Sequence, residues 1–246
     1  MRKVKIRLDR AYSLNTDEQV IIMNESKYEL VLDPTLDPRP VSPALIWAEQ
    51  ITMSDSESAF EDLEKVLDRV ATTGEEAVPT EVRKRVRAIL RHGKYKPSGR
   101  GKPASEFLLK AALGGDFPLI NGPVDVNNTI SLESGFPASI FDAERSGRRL
   151  RLRRGIEGES YVFNPSGQLI DLQDLLVVCR EDDVPCGNPV KDSMDTKTHD
   201  GTCDVIAVLY APADEPEESV RRWAERFAEL LGLHCHAART GVLLPD

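Results

Sequence analysis

The chain has no apolar run approaching the roughly 18 residues that a membrane span requires, and its first residues, MRKVKIRLDR, alternate charges where a signal peptide would carry an apolar core. A cytoplasmic location is the expectation from both. The four cysteines, at positions 179, 186, 203 and 235, form no C-x-x-C pair, which argues against a disulfide framework and for reduced thiols. Cys186, His199, Cys203 and the run His234-Cys235-His236 contain metal-capable groups, but a tetrahedral site normally announces itself by a close ligand pair, so no metal is expected. There is no G-x-S-x-G elbow for a serine hydrolase of that class. Gly99-Arg100-Gly101-Lys102-Pro103-Ala104 has the spacing G-x-G-x-x-A, yet a helix and not a strand is expected before it, which excludes a dinucleotide fingerprint. Lys96 where a Walker A loop needs its first glycine, and Pro103 where it needs Ser or Thr, exclude that motif too. No cofactor is implied.

What is present is a segregated charge pattern inside an acidic chain. The 246 residues carry a formal net charge of −9 and are 40% hydrophobic, enough for an ordinary core. Between Arg83 and Lys110 there are ten Lys or Arg against the single acid Glu106, and Arg145–Arg154 adds six arginines and no acid. Half of the 32 basic residues therefore fall in 38 positions, the footprint of a surface that meets RNA or phosphate. A solvated helix face explains Arg83–Arg91 equally well. Lys94, Lys96, Arg100 and Lys102 surround Gly99 and Gly101 just ahead of a predicted helix, where backbone amides and cations both suit phosphate. A dense polar run follows at Asn121, Asp125, Asn127 and Asn128.

Periodicity predicts a helical first part and a sheet-rich second part. Strand-like alternation marks 2–7 and 28–33, helices are expected over about 55–70, from Pro79, over 105–113 and over 124–134, and Gly114-Gly115 and Gly135 supply stops. After that the period changes toward two, with strands at 149–153, 161–164, 169–172 and 175–179. The continuous apolar run 205–210 reads as a central strand buried on both faces. A helix over 215–231 and extended segments at 234–238 and 242–244 complete the pattern. Residues 1–80 are expected to form a β and helical extension packed on a main domain of residues 81–246.

With these segments in place, the chain resembles the B3/B4 domain of the phenylalanyl-tRNA synthetase beta chain, in particular its freestanding relatives. The residues that carry the resemblance are Tyr95-Lys96-Pro97, Lys102-Pro103-Ala104-Ser105-Glu106, Ile120-Asn121, Val124-Asp125-Val126-Asn127-Asn128, Ser134-Gly135-Phe136-Pro137, Phe141-Asp142, Lys191-Asp192-Ser193 and Thr196-Lys197. In the synthetase this domain hydrolyses the ester of a wrongly attached amino acid on the tRNA 3′ end. Its freestanding relatives look like editing factors acting in trans, one branch being associated with clearing canavanine, an arginine analogue, from arginine tRNA.

The resemblance implies a mixed α+β, three-layer fold with a β-sandwich-like sheet core flanked by helices and a ligand pocket between its halves. It implies a hydrolase, an aminoacyl-tRNA deacylase, whose partner is the tRNA acceptor end, with no membrane or DNA role. Asn121, Asp125 and Asn128 become candidates for orienting the ester; Asp125 reads equally as a first-turn helix residue. Ser139, Asp192, Ser193, Thr196 and Lys197 become substrate-binding candidates. Arg91, Lys94, Tyr95, Lys96, Arg100, Lys102 and Arg151 become candidate tRNA contacts, with Tyr95 either stacking on a base or packed inward.

Two departures bear on the cargo. The synthetase motif carries a histidine before its apolar-Phe-Asp triplet where this chain has Ser139-Ile140-Phe141-Asp142, which weakens an expectation of tyrosyl-tRNA(Phe) editing. Pro189-Val190-Lys191-Asp192-Ser193 stands where the synthetase has a glycine pair and a glutamate, and an enclosed Asp192 would suit a guanidinium-like cargo such as that of canavanyl-tRNA(Arg). Alternatively, Asp192 caps a turn with Ser193 and Thr196. No general base stands out, so the catalytic group is left unassigned; the resemblance implies that the terminal ribose hydroxyl helps position water. A non-catalytic tRNA-binding protein and an amino-acid sensor are the other readings of the same residues.

Overall fold

A computed structural model describes residues 27–54 and 58–245. The strand expected at 2–7 lies outside the described residues. In chain order the elements are β1 (Glu29–Leu32), β2 (Val41–Glu49), α1 (Glu61–Thr73), α2 (Thr80–Leu90), α3 (Ala104–Gly114), α4 (Gly122–Ser134), β3 (Ala138–Asp142) and the short α5 (Ala143–Ser146). They continue with β4 (Arg149–Arg154), β5 (Ser160–Val162), β6 (Leu169–Asp171), β7 (Leu176–Cys179), β8 (Pro185–Gly187), β9 (Val205–Pro212), α6 (Glu217–His234) and β10 (Arg239–Leu243).

Local sequence explains where most helices begin and end. Pro79 precedes α2 and Pro216 precedes α6, each fixing a backbone angle suited to helix entry, with Glu81 and Glu217 in the respective first turns against the helix dipole. Asn121 caps α4 through its side-chain oxygen, which accepts from the Val124 amide at 3.1 Å, and Gly135 ends the helix in the left-handed region at φ 77°. Gly115 does the same for α3 at φ 74°.

The strands build an antiparallel sheet in the order β10-β2-β9-β3 and a second sheet in the order β1-β4-β7-β8, in which only the β1–β4 pair is parallel. β5 and β6 form a separate hairpin. Period-two alternation divides the first sheet between two cores. Ala44, Ile46, Ala207, Leu209 and Ile140 face α4 and α6, meeting Val126, Ile130, Val220, Phe227 and Leu231. Leu45, Ile206, Val208, Phe141 and Tyr210 face the second sheet and meet Leu30, Leu150, Leu152, Leu176 and Val178. The result is the expected three-layer α+β arrangement of helices, sheet and sheet, with β9 buried along its whole length at the centre.

Three sequence expectations are corrected. β2 pairs with both β9 and β10, so residues 41–49 lie inside the principal sheet, and a boundary at residue 80 cuts through one body of sheet instead of separating an extension from a domain. His234 is the last residue of α6, not the start of a strand, and strand β10 begins only at Arg239. The periodicity also passed over β3, which turns out to carry part of the site.

Candidate functional site

The polar centre of the molecule lies between the two sheets, where the loop after β8 turns back beneath β3. Gly187 is required there by close approach: a Cβ would stand 2.4 Å from Phe141 Cζ and 2.7 Å from Asp192 Oδ1. Asn188 then folds the chain on itself, its Oδ1 accepting from the amides of Val190 at 2.8 Å and Lys191 at 2.9 Å. Its side-chain nitrogen donates to the Tyr161 hydroxyl, which in turn donates to the Lys191 carbonyl at 2.6 Å. On the far side of the loop the Ser193 amide and Thr196 hydroxyl both donate to the Cys186 carbonyl, and Ser193 Oγ caps the turn Met194–Thr196 by accepting from Asp195 N. Ser193 and Thr196 are therefore buried anchors of the loop.

The anchoring presents the Asp192 carboxyl group to β3. Ser139 Oγ donates to Asp192 Oδ1 at 2.6 Å, the Asn188 amide donates to the same oxygen at 3.3 Å, and the buried Tyr210 hydroxyl lies 2.9 Å from Ser139 Oγ. With Asp192 ionised, the Ser139 proton points at the carboxylate, so Tyr210 donates to Ser139 and the three groups form one directed chain. Burial pushes the Asp192 carboxyl up to about 7, against the opposing effect of hydrogen bonds from Ser139 and the Asn188 and Ile140 amides and of the Lys197 charge. Tyr161 and Tyr210 are raised well above the ordinary phenol range, burial being the main cause, and stay neutral donors. No ion pair to Asp192 forms among the described residues, because the Lys197 ammonium instead donates to the Phe163 carbonyl at 2.8 Å. Burial lowers the Lys197 pKa, opposed by Asp192.

The basic segment is joined to this loop. Tyr95 packs on the cluster of Leu90, Tyr161 and Leu172, and its hydroxyl donates to the Gly101 carbonyl at 2.9 Å, while burial pushes it up to about 12. It braces the turn Gly99–Gly101 and is not presented for stacking. The Ala104 amide at the start of α3 donates to the Pro189 carbonyl at 2.9 Å, fixing that turn beside the Asp192 loop. Around it Arg91, Lys94, Lys96 and Arg100 are exposed and Lys102 is half-buried, and none of the five has an ion-pair partner among the described residues.

Most arginines of α2 and β4 are instead spent internally. Arg83 pairs with Glu75, Arg85 with Asp214 and Glu215, and Arg87 with Glu106. On β4, Arg149 pairs with Glu29, Arg153 with Glu159 and Asp183, and Arg151 with Asp33 at 3.1 Å. Arg151, expected as a tRNA contact, has its charge answered inside the chain.

The asparagine-rich helix start is also largely committed. Asn121 Oδ1 is the α4 cap, and its Nδ2 donates to Thr198 Oγ1 at 3.2 Å. Asp125 is buried and accepts from the Ile120 amide at 2.8 Å, the helix-start role. Asn128 is half-buried and its Oδ1 accepts from Asn127 Nδ2 at 3.3 Å. Asn127 Oδ1 is buried without a partner among the described residues. The Phe141-Asp142 motif is likewise architectural: Asp142 Oδ1 caps α5 by accepting from the Glu144 and Arg145 amides, while Oδ2 accepts from the Thr202 hydroxyl at 2.5 Å and meets His199 Nε2 at 3.2 Å.

Of the residues expected from sequence, the structure brings together Ser139, Asp192, Ser193, Thr196 and Lys197, with Arg100 carried on the adjoining turn. Sequence reasoning missed Tyr210, Tyr161, Asn188 and Phe163. A tyrosine hydroxyl inside the otherwise apolar run of β9 signals a buried polar partner, and Asn188 directly before a proline signals a turn.

A profile of the B3/4 domain matches residues 99–227, just over half of the chain and the part containing Ser139, Asp192 and Lys197. No curated protein matches the chain. Among solved structures, an N-terminal fragment of the phenylalanyl-tRNA synthetase beta-subunit from Pyrococcus horikoshii aligns with a TM-score of 0.47 and 9% identity, covering 95% of this chain and 54% of that one. The chain thus spans about half the length of that fragment. No helix of the described residues is long and apolar enough to cross a membrane. On the match over residues 99–227, this chain belongs to the B3/4 domain family.

Proposed function

We propose that the protein is a trans-editing aminoacyl-tRNA deacylase, hydrolysing the ester of a mischarged amino acid at the tRNA 3′ end. The editing activity that the sequence resemblance implies supports this reading, and one observation carries it. An enclosed carboxyl group, Asp192, lies beside a turn whose cations have no ion-pair partner among the described residues, and a hydrogen bond from Ala104 to Pro189 links the two. That polarity complements an RNA end, with phosphates toward the basic turn and the amino acid toward the carboxyl group.

Asp192 has no ion-pair partner among the described residues, so a cationic side chain would provide one by charge-assisted hydrogen bonds, and the proposed cargo is arginine-like, as in canavanyl-tRNA(Arg). Ser139 and Tyr210 hold the carboxyl group, Ser193 and Thr196 hold its loop, and the ester itself lies toward Asn128, whose amide nitrogen has no partner among the described residues. Hydrolysis proceeds by water attack on the ester carbonyl, with a terminal ribose hydroxyl positioning the water. The experiment is to offer tRNAs carrying canavanyl, arginyl and tyrosyl esters to the full chain and measure amino-acid release. Release of the canavanyl ester ahead of the others supports the reading; release of none above the spontaneous rate ends it.

A further inference from the structure

Phe163 holds two cations at once. The Lys191 ammonium sits 3.8 Å from the centre of its ring, and the Lys197 ammonium donates to its carbonyl oxygen at 2.8 Å. Arg100 belongs to the same neighbourhood, since its turn is stitched to the Lys191 loop through Ala104 and Pro189 and braced by Tyr95 on Gly101. No carboxylate among the described residues forms an ion pair with Arg100, Lys191 or Lys197, although nearly every arginine of α2 and β4 has one. Burial lowers the Lys191 pKa and the Arg100 charge lowers it further; burial lowers that of Lys197 against the opposing charge of Asp192. Holding Lys191 beside the Arg100 charge, and both lysines in partly desolvated places, costs free energy, and a bound anion relieves it.

We propose that Arg100, Lys191 and Lys197 form a binding site for one phosphodiester, the last internucleotide link of an RNA 3′ end. This rests on the deacylase reading for the identity of the RNA. The choice of a phosphodiester follows from the ester's chemistry. The cargo's own carboxylate is consumed in the ester bond, so the nearest remaining anion is the phosphate on the other side of the terminal ribose. Lys191 and Asp192 are consecutive, so one loop addresses both ends of that nucleotide: Lys191 the phosphate and Asp192 the amino acid. The site is formed in advance, because Phe163 fixes both lysines, and it measures the terminal nucleotide against the loop.

The test is equilibrium binding to the full chain of adenosine, inorganic phosphate and the dinucleotide cytidylyl-(3′,5′)-adenosine, which contains one phosphodiester. The wild type should bind the dinucleotide more tightly than adenosine by about tenfold, the worth of one charge-assisted contact. Lys191→Ala should remove that advantage and leave adenosine binding unchanged, and Lys191→Arg should retain it. Equal binding of dinucleotide and adenosine by the wild type, or an equal loss of both in Lys191→Ala, would overturn the site. Inorganic phosphate binding as tightly as the dinucleotide would overturn its assignment to RNA. If the dinucleotide advantage depends on Lys191 while no mischarged tRNA is hydrolysed, the deacylase reading fails and the phosphodiester site stands. If hydrolysis occurs with no such dependence, the reverse holds.

Discussion

Replacing Asp192 with asparagine should stabilise the protein while disabling it for a cationic cargo. The Asp192 carboxyl is raised from 3.8 to about 7 by burial, so between those values the folded chain holds a proton that the unfolded chain has released. Stability therefore falls as pH rises through that window, and the loss is complete above pH 7. A rise of about three pH units at about 1.4 kcal/mol per unit gives a cost of at most about 4 kcal/mol. Asparagine keeps an oxygen for Ser139 Oγ and the Asn188 amide but carries no charge to bury. For a chain of this size, where 1 kcal/mol moves the unfolding temperature by about 2–4 °C, Asp192→Asn should unfold roughly 10 °C above the wild type at pH 8. The two should converge near pH 4. Circular dichroism melts at pH 4.5, 6, 7 and 8 measure the gap. A gap that does not widen with pH, or a variant less stable than wild type at pH 8, refutes the burial argument. Release of a canavanyl ester should drop more than release of a neutral one; equal loss on all esters would make Asp192 a purely architectural group. A loss confined to the cationic cargo would mean that selection has kept a destabilising carboxylate for its function.

Three further outcomes are expected. The double variant Lys96→Ala, Arg100→Ala should weaken tRNA binding and reduce the slope of log affinity against log salt by about 1.5, and an unchanged slope in filter binding removes these cations from the interface. Arg151→Ala should leave tRNA affinity unaltered and change stability by less than about 1 kcal/mol, since its exposed pair with Asp33 is weakly stabilising; a clear loss of affinity would restore β4 to the binding surface. Gly187→Ala should lower stability by about 1–3 kcal/mol through overpacking against Phe141 and should also displace Asp192, so an unchanged melting temperature would contradict the close approach at that turn.

The helices were legible because punctuation marked them: Pro79 opens α2, Gly115 closes α3, and Gly135 closes α4. β2 was not, since Val41–Glu49 is an almost continuous apolar run containing Pro43, with no alternation to set it apart. Only its pairing with β9 and β10 identifies it. In the site, Ser139 and Asp192 stood out by departing from the family motif, and their hydrogen bond joins two readings that sequence held separate. Asn121 and Asp125 look like ligand groups in a list but act as the start of a helix. Charge was the least legible property. Sequence counts cations without showing which acids lie opposite: Arg151 meets Asp33, whereas Lys96 has no ion-pair partner among the described residues.

The central position of β2 has a consequence for dissecting the protein. The family match covers residues 99–227, which makes that segment the natural one to express alone. It would lack β1, β2 and β10, leaving one side of β9 an open, largely apolar edge. Such an edge recruits strands from other copies, so the fragment should aggregate instead of reporting on RNA. Folding has the same dependence. Residues 41–48 register against 205–212, so the middle of the sheet forms by closing a loop that contains α1 to α4, β3 to β8 and all of the Asp192 site except Tyr210. Such long-range closure is slow.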